Sequence, residues 1–502
     1  MNLLEMLLGA GAPDAVALVS PAGTTTYRAL SARVAELART LTAEGIVAGD
    51  RVGLSSGNDE AFVVGYLATL RVGAVAVPLN PMAPPREVRR DLDAIEPRLV
   101  LVAGTAAAMV TAAGATVLHI DQVVDAAPDP VPDSAPGGAD APVVARDTDD
   151  AAVMLFTSGT AGAPKAAVLT HGNLAANITQ VLNHPGLAVR SDDLVLGALP
   201  FHHIFGLNVV LGVTLAAGGT VVLEDQFDAA STAALVAAHG ITVVAGVPTM
   251  YDQWLSLDPP VPDTAFSSIR LAVSGAAPLP DRVAEGFRAR FAIVLHQGYG
   301  LTEAAPIVTT TALSAEPVPG SIGPPLPGVE VRLVGEDGSD ALVGDPGEIW
   351  VRGPNVFSGY WNDQEASGRA LTDDGWLRTG DVAVFTDDQE LFIVDRAKDL
   401  VIVSGFNVYP AEVEEVLLGH PDIADAAVVG EEHTRTGEAV VAYVVACPGS
   451  SLDVGALGEW CAHDLARYKC PARYEVVAAL PRSAAGKLLR RELRPSATTN
   501  PA

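Results

Sequence analysis

The sequence predicts an α/β protein with a large N-terminal domain of α/β sheets that includes a β-rich subdomain, and a small α+β C-terminal domain. Three observations lead to this fold class. Helical and strand-like periods alternate through residues 1–100, and the pattern turns β-rich between Val329 and Val351. An amphipathic helix followed by strands then lies near the end of the chain.

The N-terminal elements are predicted from the period of their apolar residues. Helical and strand-like segments alternate as follows: Tyr27–Glu44 (helix), Arg51–Leu54 (strand), Ala61–Arg71 (helix) and Ala74–Pro78 (strand). The most apolar long run is Leu207–Leu223, which contains Asn208 and the Gly218-Gly219 pair. It predicts a buried helix, a glycine turn and a strand rather than a membrane span.

The C-terminal domain is predicted from one helix and two strands. Pro410 suits the first turn of a helix, and the acids that follow between residues 412 and 415 suit its N-terminal dipole. Residues 426–430 and 439–446 then have strand-like patterns. These elements predict a compact α+β body.

Composition limits the class of protein. The chain has 502 residues, enough for two or more domains, and 49% of them are hydrophobic. Its formal charge of −29 argues against nucleic acid or anionic lipid as partners, because both are anionic. The three cysteines form neither a disulfide framework nor a C-x-x-C pair, which fits a reducing compartment. Because residues 1–5 also lack the basic start of a secretion signal, we expect a cytoplasmic protein without integral membrane association.

A polar, glycine-rich loop between Thr157 and Lys165 is the most informative feature of the chain. It follows the strand-like run Ala151–Phe156 and precedes a helix-like stretch from Asn173. The backbone N–H groups, hydroxyl groups and lysine of such a loop can bind a polyphosphate. The loop does not fit G-x-x-x-x-G-K-[ST], which disfavours a kinase or GTPase of that type. Its candidate phosphate-binding residues are Thr157, Ser158, Gly159, Thr160, Gly162 and Lys165.

A second segment, Gln297–Glu303, has the sequence QGYGLTE and follows a short strand-like run at residues 291–295. Its glycines permit close approach of the backbone to a ligand, and Tyr299 offers a flat face for a purine. Thr302 and Glu303 supply oxygen ligands of the kind that Mg²⁺ prefers. On its own, the segment also fits an ordinary turn with one solvated acid.

Three further segments complete the pattern. In Gly375–Asp381, a carboxylate that follows a Thr-Gly turn can accept hydrogen bonds from both hydroxyls of a ribose. Asp395–Asp399 places a charged step between two strand-like runs, which fits either a solvated turn or a hinge. Near the end of the chain, Lys487 follows Ala-Ala-Gly and can be carried into an active site by a mobile loop.

Together these five segments, in this order and spacing, resemble the adenylate-forming (AMP-binding) superfamily over nearly the whole chain. Residues 297–306 and 404–410 look most like those of bacterial fatty-acyl-CoA ligases. The resemblance implies an adenylation domain at 1–397 that binds ATP and a carboxylic acid. It also implies a mobile domain at 398–502 that carries a catalytic lysine, with ATP, Mg²⁺ and CoA as ligands.

The resemblance implies a role for each matching residue. Lys487 would bridge the carboxylate and the α-phosphate, while the glycine-rich loop would hold the β- and γ-phosphates. Thr302 would contact the α-phosphate, and Glu303 would position Mg²⁺ with help from Thr160. The remaining nucleotide contacts implied are Asp381 and Arg396 for the ribose, and Gly275, Ala276, Ala277, Gln297, Gly298, Tyr299 and Gly300 around the adenine.

For thioester formation, the resemblance implies that the C-terminal domain rotates about Lys398. Rotation would withdraw Lys487 and bring Gly405, next to Ser404, to the site with its strand. This movement would open a channel for the pantetheine arm of CoA.

The segment LPFHHIFG places His203 at the family histidine that gates the acyl and thiol channels, although a satisfied structural histidine also fits. Three positions depart from the family pattern. His202 replaces the usual aromatic residue, and Ala161 stands where the loop usually has another hydroxyl. Ala166 replaces the glycine that usually follows the lysine, and it would restrict the loop if that position needs a positive φ.

Four segments are candidates to line the acyl pocket, and none contains Lys, Arg, Asp or Glu: Ile204–Gly212, Gly246–Met250, Val273–Ala277 and Ala304–Val308. An apolar pocket suits an alkyl or aryl acid, and we expect a fatty acid. A dicarboxylate would need a cation, for which Arg282 is the nearest candidate in sequence.

We therefore expect an AMP-forming acyl-CoA ligase. Two alternatives remain open: an enzyme that loads the thiol of an acyl-carrier protein, and a non-catalytic relative that binds a nucleotide or an acyl group. A short dicarboxylic or aromatic acid is the alternative to a fatty acid. The sequence leaves a homodimer open.

Overall fold

The predicted alternation of helices and strands is present in a computed structural model of the chain. The structure describes residues 1–502 except 105, 113, 121–141, 158–164, 336, 389, 397–398, 400, 404–405, 434–435, 451, 483–487 and 494–502. The predicted fold class is confirmed, since the described residues form mixed α/β units built on large sheets.

Two compact units divide the chain. The first consists of Met1–Val331 with Val351–Arg378, and the second consists of Arg332–Trp350 with Thr379–Ala502. The domain boundary expected between residues 397 and 398 stays a prediction.

The strands of the described residues are β1 Val16–Ser20, β2 Gly23–Thr26, β3 Arg51–Ser55, β4 Val75–Pro78, β5 Leu99–Val102, β6 Val117–His119, β7 Ala151–Thr157, β8 Lys165–Thr170, β9 Leu194–Gly197, β10 Thr220–Leu223, β11 Val243–Gly246, β12 Leu271–Ser274, β13 Leu295–Gly300, β14 Ile307–Thr310, β15 Glu330–Val334, β16 Gly347–Arg352, β17 Gly359–Tyr360, β18 Leu377–Phe385, β19 Leu391–Arg396, β20 Val401–Val403, β21 Phe406–Val408, β22 Ile423–His433, β23 Gly437–Ala446 and β24 Arg473–Val476.

The α-helices are Leu3–Gly9, Tyr27–Ala43, Glu60–Arg71, Pro85–Ile95, Ala106–Ala112, His171–Asn183, Val213–Ala216, Ala229–His239, Pro248–Leu255, Asp281–Phe291, Gln364–Ala370, Pro410–Leu418 and Val454–Asp464. A π-helix spans Phe205–Gly212, and short 3₁₀ turns span Thr302–Ala304 and Arg490–Glu492. Within the described ranges, every helix is too short or too polar to cross a bilayer.

The first unit contains two large sheets. Their strand orders are β14-β13-β12-β11-β9-β10-β1-β2 and β17-β8-β7-β4-β3-β5-β6. The helix Glu60–Arg71 shows why this unit has a deep core: it begins at the N-cap Asp59, and every residue from Ala61 to Arg71 is buried. A helix that is apolar on all sides must be covered on all sides.

One local prediction was wrong and one strand was not predicted. Residues 291–295 are not a strand, because Phe291 ends a helix and the QGYG residues themselves lie in β13. The helix expected near Asn173 is present from His171, with a Thr170 capping box, but the unpredicted strand β8 lies between it and the glycine-rich loop.

The buried helix, glycine turn and strand predicted for Leu207–Leu223 are present. The helix begins as a π-helix and continues into Val213–Ala216, Gly218 has a φ of 74°, and β10 follows. Gly206 in the π-helix packs so closely that an added methyl would lie 2.3 Å from the carbonyl oxygen of Pro200.

The second unit contains a five-stranded sheet with the order β21-β20-β23-β22, in which β24 pairs with β23. The helix Pro410–Leu418 packs Val413 and Leu417 into the core of this sheet, as its apolar stripe predicted. Pro410 occupies the first turn, also as predicted. Most of a four-stranded sheet, β15-β16-β18-β19, belongs to the same unit.

A buried ion pair holds the C-terminal residues of the second unit to this helix. The Arg490 guanidinium donates through Nη2 to both carboxylate oxygens of Glu414, at 2.9 and 2.7 Å, and only 13% of the Glu414 side chain is exposed. The Val428 N–H also donates to this carboxylate at 2.7 Å. Burial raises the pKa of Glu414, and the charge and hydrogen bonds of Arg490 oppose that rise.

Arg490→Met should leave the Glu414 carboxylate buried without its counter-charge, so the free energy of unfolding of the second unit should fall by about 3 kcal/mol. Urea unfolding of the full chain would measure the loss. Arg482→Met is the matched control because its pair with Asp425 is one-third exposed, and its loss should stay below about 1 kcal/mol. Equal losses in the two variants would contradict the assignment.

Candidate active site

The ends of the glycine-rich loop are held together by a hairpin. Thr157 is the last residue of β7 and pairs with Lys165, the first residue of β8. The Thr157 hydroxyl donates to the Lys165 carbonyl oxygen at 3.4 Å. Ala166 lies in the extended strand and not at a positive φ, so its methyl group does not strain this end of the loop. The predicted contacts Ser158, Gly159, Thr160 and Gly162 lie outside the described residues.

Lys165 faces two side chains of a neighbouring segment. Its Nζ lies 5.3 Å from the centroid of the Tyr360 ring and 4.0 Å from Asp363 Oδ2. The strand β17 pairs with β8 so that Tyr360 lies opposite Ala167. This ammonium at the base of the loop is therefore oriented by a ring and a carboxylate.

The carboxyl ends of three parallel strands bring the other predicted nucleotide contacts to one edge. Gly246 of β11 lies opposite Ser274 of β12, and Ser274 lies opposite Gln297 of β13. Gly275 follows directly and donates from its N–H to the Gly246 carbonyl oxygen at 3.1 Å. Such an edge is where open α/β sheets bind ligands.

The residues at this edge leave little room for side chains. A methyl group on Gly275 would lie 3.2 Å from the Phe205 ring and 3.4 Å from the Gly298 carbonyl oxygen. Ala276 has a φ of 67°, in the left-handed region that is uncommon for a residue with a Cβ. Tyr299 is only 9% exposed. The structure thus places Gly275–Ala277 and Gln297–Gly300 next to each other, and their contact with an adenine stays a prediction.

The backbone around Glu303 is held by hydrogen bonds from two separate segments. The carbonyl oxygens of residues 303–305 accept hydrogen bonds, in order, from the Phe357 N–H at 2.9 Å, Asn355 Nδ2 at 2.8 Å and Asn208 Nδ2 at 2.7 Å. Asn355 is fully buried and Asn208 belongs to the π-helix. Thr302 begins the same 3₁₀ turn. The two predicted catalytic residues of this turn therefore lie on a fixed main chain.

The side chain of Glu303 is also held. The Tyr360 hydroxyl donates to Glu303 Oε1 at 2.7 Å. Burial and the negative charge of Glu303 raise the pKa of Tyr360 well above its usual value, so the phenol stays protonated and remains a donor. No group of three histidine, cysteine or acidic side chains that could hold a metal ion occurs in the described part of the chain.

His202 and His203 lie at the start of the predicted acyl-pocket lining, with ring centroids 4.4 Å apart. Burial lowers the pKa of both rings, that of His202 to about 3 with a further contribution from His203. Both imidazoles are therefore neutral at physiological pH. Among the described residues, the buried Nε2 of His202 has no hydrogen-bonding partner.

The predicted ribose contacts belong to the second unit. Asp381 is 6% exposed and lies within β18, directly opposite Arg396 of β19. The turn-like feature is Gly380, whose φ is 74° and whose N–H donates to Glu348 Oε1 at 2.9 Å. The predicted Lys398, Ser404, Gly405 and Lys487 lie outside the described residues, and only the backbone of Arg396 is described.

Sequence reasoning missed Tyr360, Asn355 and Asn208. Each contacts the turn at residues 302–305 from a position more than 50 residues away in the chain. Their residue types are ordinary for a loop or a buried helix, so a single sequence carries no signal for them.

Two family models match the chain. The model described as AMP-binding enzyme matches residues 9–361, and the model described as AMP-binding enzyme C-terminal domain matches residues 412–487. The feruloyl-CoA synthase of an Amycolatopsis species is 39% identical over 486 residues, which cover 96% of each protein.

Two further curated relatives are more distant. The 4-coumarate–CoA ligase 2 of Oryza sativa subsp. japonica is 36% identical, with coverage of 96% of this chain and 90% of the relative. The long-chain-fatty-acid–CoA ligase of Yersinia pestis is 34% identical, with coverage of 98% and 94%.

Solved structures match over the same extent. ATP-bound MatB from Rhodopseudomonas palustris has a TM-score of 0.90 and 33% identity, and the match covers 98% of each chain. The o-succinylbenzoate CoA synthetase of Bacillus subtilis, in complex with its acyl-adenylate intermediate, has a TM-score of 0.85 and 30% identity, with coverage of 98% and 97%.

Proposed function

This chain belongs to the family of AMP-binding enzymes, and from that premise we propose the acid that it activates and the role of each site residue. Its activity is that of an AMP-forming acid–CoA ligase, in agreement with the relatives that share a third or more of its sequence. The residue roles and the acid proposed below go beyond that shared activity.

The chemistry sets a demand that the site must meet. A carboxylate is a poor electrophile, and its attack on the α-phosphorus of ATP brings two anions together. The enzyme must screen this repulsion and hold the attacking oxygen in line with the departing pyrophosphate. The acyl adenylate then reacts with a thiol, which forms the thioester and releases AMP.

We assign the nucleotide to the sheet edge and the glycine-rich loop of the first unit. The loop from Thr157 to Lys165 would hold the β- and γ-phosphates, and its paired ends support a fixed base for it. The edge formed by Gly275–Ala277 and Gln297–Gly300 would hold the adenine. Asp381, which lies opposite Arg396 in the second unit, is the residue that we propose for the ribose hydroxyls.

Mg²⁺ fits this arrangement. Mg²⁺ is usually held by one or two carboxylates together with substrate phosphates and water rather than by a cage of protein ligands. Glu303 is the carboxylate that would hold it, with the Thr160 hydroxyl as a further ligand. When bound, Mg²⁺ neutralises charge on the phosphate oxygens.

Lys487 is the residue that we assign to the bridge between the carboxylate and the α-phosphate. The C-terminal family model extends to this residue. On either side of residues 483–487, Arg482 and Leu488 form a β-bridge, and the Leu489 N–H donates to the Pro481 carbonyl oxygen at 2.8 Å. Lys398 would be the pivot of a rotation that withdraws Lys487 from the site. The same rotation would bring Ser404 and Gly405 to the site before the thiol enters.

We propose an aromatic acid of the hydroxycinnamic class as the substrate, in place of the fatty acid favoured by the sequence. The observation that carries this proposal is the contact between the Phe205 ring and Gly275 at the sheet edge, which makes a flat wall against a glycine backbone. The feruloyl-CoA synthase and the 4-coumarate–CoA ligase 2 of Oryza sativa, at 39% and 36% identity, also lie above the fatty-acid ligase at 34%.

Packing around Gly246 supports a short pocket. A methyl group on Gly246 would lie 3.2 Å from the Tyr251 ring and 3.3 Å from the end of Met250. Tyr251 is fully buried, and its hydroxyl donates to the Val273 carbonyl oxygen at 2.9 Å, so this ring is fixed in place. A ring fixed there favours a compact acid over a long alkyl chain. The free Nε2 of His202 would suit a hydroxyl substituent.

A dicarboxylic acid is less well supported. Arg282, the cation nearest to the lining segments in sequence, forms a salt bridge with Asp252, and Nη2 lies 3.0 Å from Oδ2. His203 is neutral and would serve as the gate between acyl and thiol channels rather than as a charge. A carrier-protein acceptor and a homodimer stay predictions.

An acid panel tests the proposed substrate. Ferulate, 4-coumarate, decanoate, palmitate and malonate would each be incubated with ATP and Mg²⁺, with and without CoA, and pyrophosphate and thioester would be measured. We expect kcat/KM for the two aromatic acids to exceed that for the others by about tenfold or more. A preference for an alkyl acid would refute the aromatic assignment, and an adenylate that persists despite CoA would favour a carrier-protein acceptor.

Gly275→Leu tests the pocket wall. Its side chain should displace the Phe205 ring and lower kcat/KM for ferulate by about tenfold or more. Gly368→Leu is the control, because nothing lies within 4 Å of a methyl group at Gly368. If the Gly275 variant turned over ferulate as fast as the control, the wall would lie elsewhere.

Lys487→Ala and Lys398→Pro should separate the two half-reactions. In the first variant the rate of pyrophosphate release should fall by about a hundredfold or more, while a supplied acyl adenylate is still converted to thioester. The second should do the reverse, since proline restricts φ at the pivot. Stopped-flow assays of each half-reaction would measure both, and equal loss of the two steps in either variant would contradict its role.

A further inference from the structure

We infer that Tyr360 is a positioning residue for Glu303: its hydroxyl fixes one carboxylate oxygen so that the other is presented to the metal–nucleotide complex. The inference rests on the proposed role of Glu303. Three independent observations carry it: a short hydrogen bond, a shared backbone clamp, and the way in which Tyr360 is itself held.

The hydrogen bond is of the strong, charge-assisted kind. Tyr360 Oη lies 2.7 Å from Glu303 Oε1, and the two residues are 57 positions apart in the chain. A phenol that donates to a carboxylate selects one rotamer of that carboxylate. Among the described residues, Oε2 of Glu303 accepts no hydrogen bond. The arrangement therefore occupies one oxygen and leaves the second for a ligand.

The segment that contains Tyr360 also holds the main chain of Glu303. The Phe357 N–H donates to the Glu303 carbonyl oxygen at 2.9 Å, and Asn355 Nδ2 donates to that of Ala304 at 2.8 Å. Residues 355–360 thus fix Glu303 at its backbone and at its side chain together. Movement of this segment would move the carboxylate with it.

Tyr360 is in turn fixed to the strand that leaves the glycine-rich loop. It pairs with Ala167 of β8, and its N–H donates to Ser367 Oγ at 2.8 Å. Its ring packs edge-on against Phe357, with a centroid distance of 5.0 Å, and Lys165 Nζ lies 5.3 Å from its centroid. One side chain therefore connects the base of the proposed phosphate loop to the proposed metal ligand.

This connection explains how two parts of the site keep their relative position within the first unit. The loop and the Glu303 turn come from different sheets, so their separation depends on contacts made by the segment at residues 355–360. Outer partners of a metal ligand typically change metal affinity by 10–100-fold when they are removed. The hydroxyl of Tyr360 is such a partner, whereas its ring serves packing.

Tyr360→Phe tests the inference, since it removes the hydroxyl and keeps the ring. With Mn²⁺ as the probe and a non-hydrolysable ATP analogue present, we expect Mn²⁺ affinity, measured by electron paramagnetic resonance of free Mn²⁺, to fall about tenfold. The Mg²⁺ concentration for half-maximal pyrophosphate release should rise in parallel. Affinity for the analogue without metal should be unchanged.

Tyr27→Phe is the matched control. Tyr27 is 2% exposed and its hydroxyl donates to the Gly219 carbonyl oxygen at 2.7 Å, so its loss removes a phenol hydrogen bond of the same length, to a neutral acceptor, elsewhere in the first unit. Thermal denaturation of both variants would compare their stability. If the Tyr360 variant lost only stability, as the control should, Tyr360 would be a structural residue and the inference would be overturned.

Glu303→Gln separates the inference from the proposed function. If this variant binds Mn²⁺ and the analogue as tightly as the unmodified enzyme, Glu303 is not the metal ligand and both proposals fail. If it binds Mn²⁺ weakly while Tyr360→Phe binds normally, the role of Glu303 stands and that of Tyr360 is refuted. Weakened Mn²⁺ binding in both variants, with normal binding in Tyr27→Phe, supports both.

Discussion

The register of three parallel strands is the constraint on which the active site depends. Gly246, Ser274 and Gln297 lie side by side at the carboxyl ends of β11, β12 and β13, so the residues that follow them meet at one edge. A slip of one residue in β13 would turn Gln297 and Tyr299 to the opposite face of the sheet. The lack of side chains at Gly246 and Gly275 matters only because this register brings Tyr251 and Phe205 against them.

Several polar contacts converge on one short turn, at residues 302–305. The carbonyl oxygens of residues 303–305 accept hydrogen bonds from the π-helix and from the segment at residues 355–357, and the Glu303 carboxylate accepts a further one. A carboxylate that is already oriented needs no reorganisation when a charged ligand binds, which is the general basis of electrostatic preorganisation. One of these donors, Asn208, belongs to the π-helix, and such irregular turns are frequent at functional sites.

The acidity of the chain and its use of a polyanionic substrate are compatible. The formal charge is −29, yet the field that a phosphate meets is set by nearby groups rather than by the total. At the base of the glycine-rich loop the nearby cation is Lys165, held by the Tyr360 ring and Asp363. Where the local dielectric is low, such short-range interactions with a phosphate are stronger than its interactions with distant surface charges. Salt screens the distant interactions further.

The sequence by itself determined the fold class, the order of the motifs and the chemistry of ATP, since periodicity and a fixed series of short segments are local properties of the chain. The resemblance to a family also pointed to Gly275–Ala277 and Gln297–Gly300, which the structure places together at the sheet edge. The sequence did not place QGYG within a strand, since glycines hide the alternation that marks one.

Tertiary structure alone decided which side chains meet across the fold. Tyr360 reaches Glu303, Asn208 reaches Ala305 and Phe205 covers Gly275, and each pair is joined by packing between distant elements. No local pattern encodes such a meeting, because it depends on how sheets, a π-helix and a short edge strand stack. The proposal of a compact, flat acid rests on the packing of Phe205 at Gly275 and of Tyr251 at Gly246, and not on the apolar composition of the lining segments.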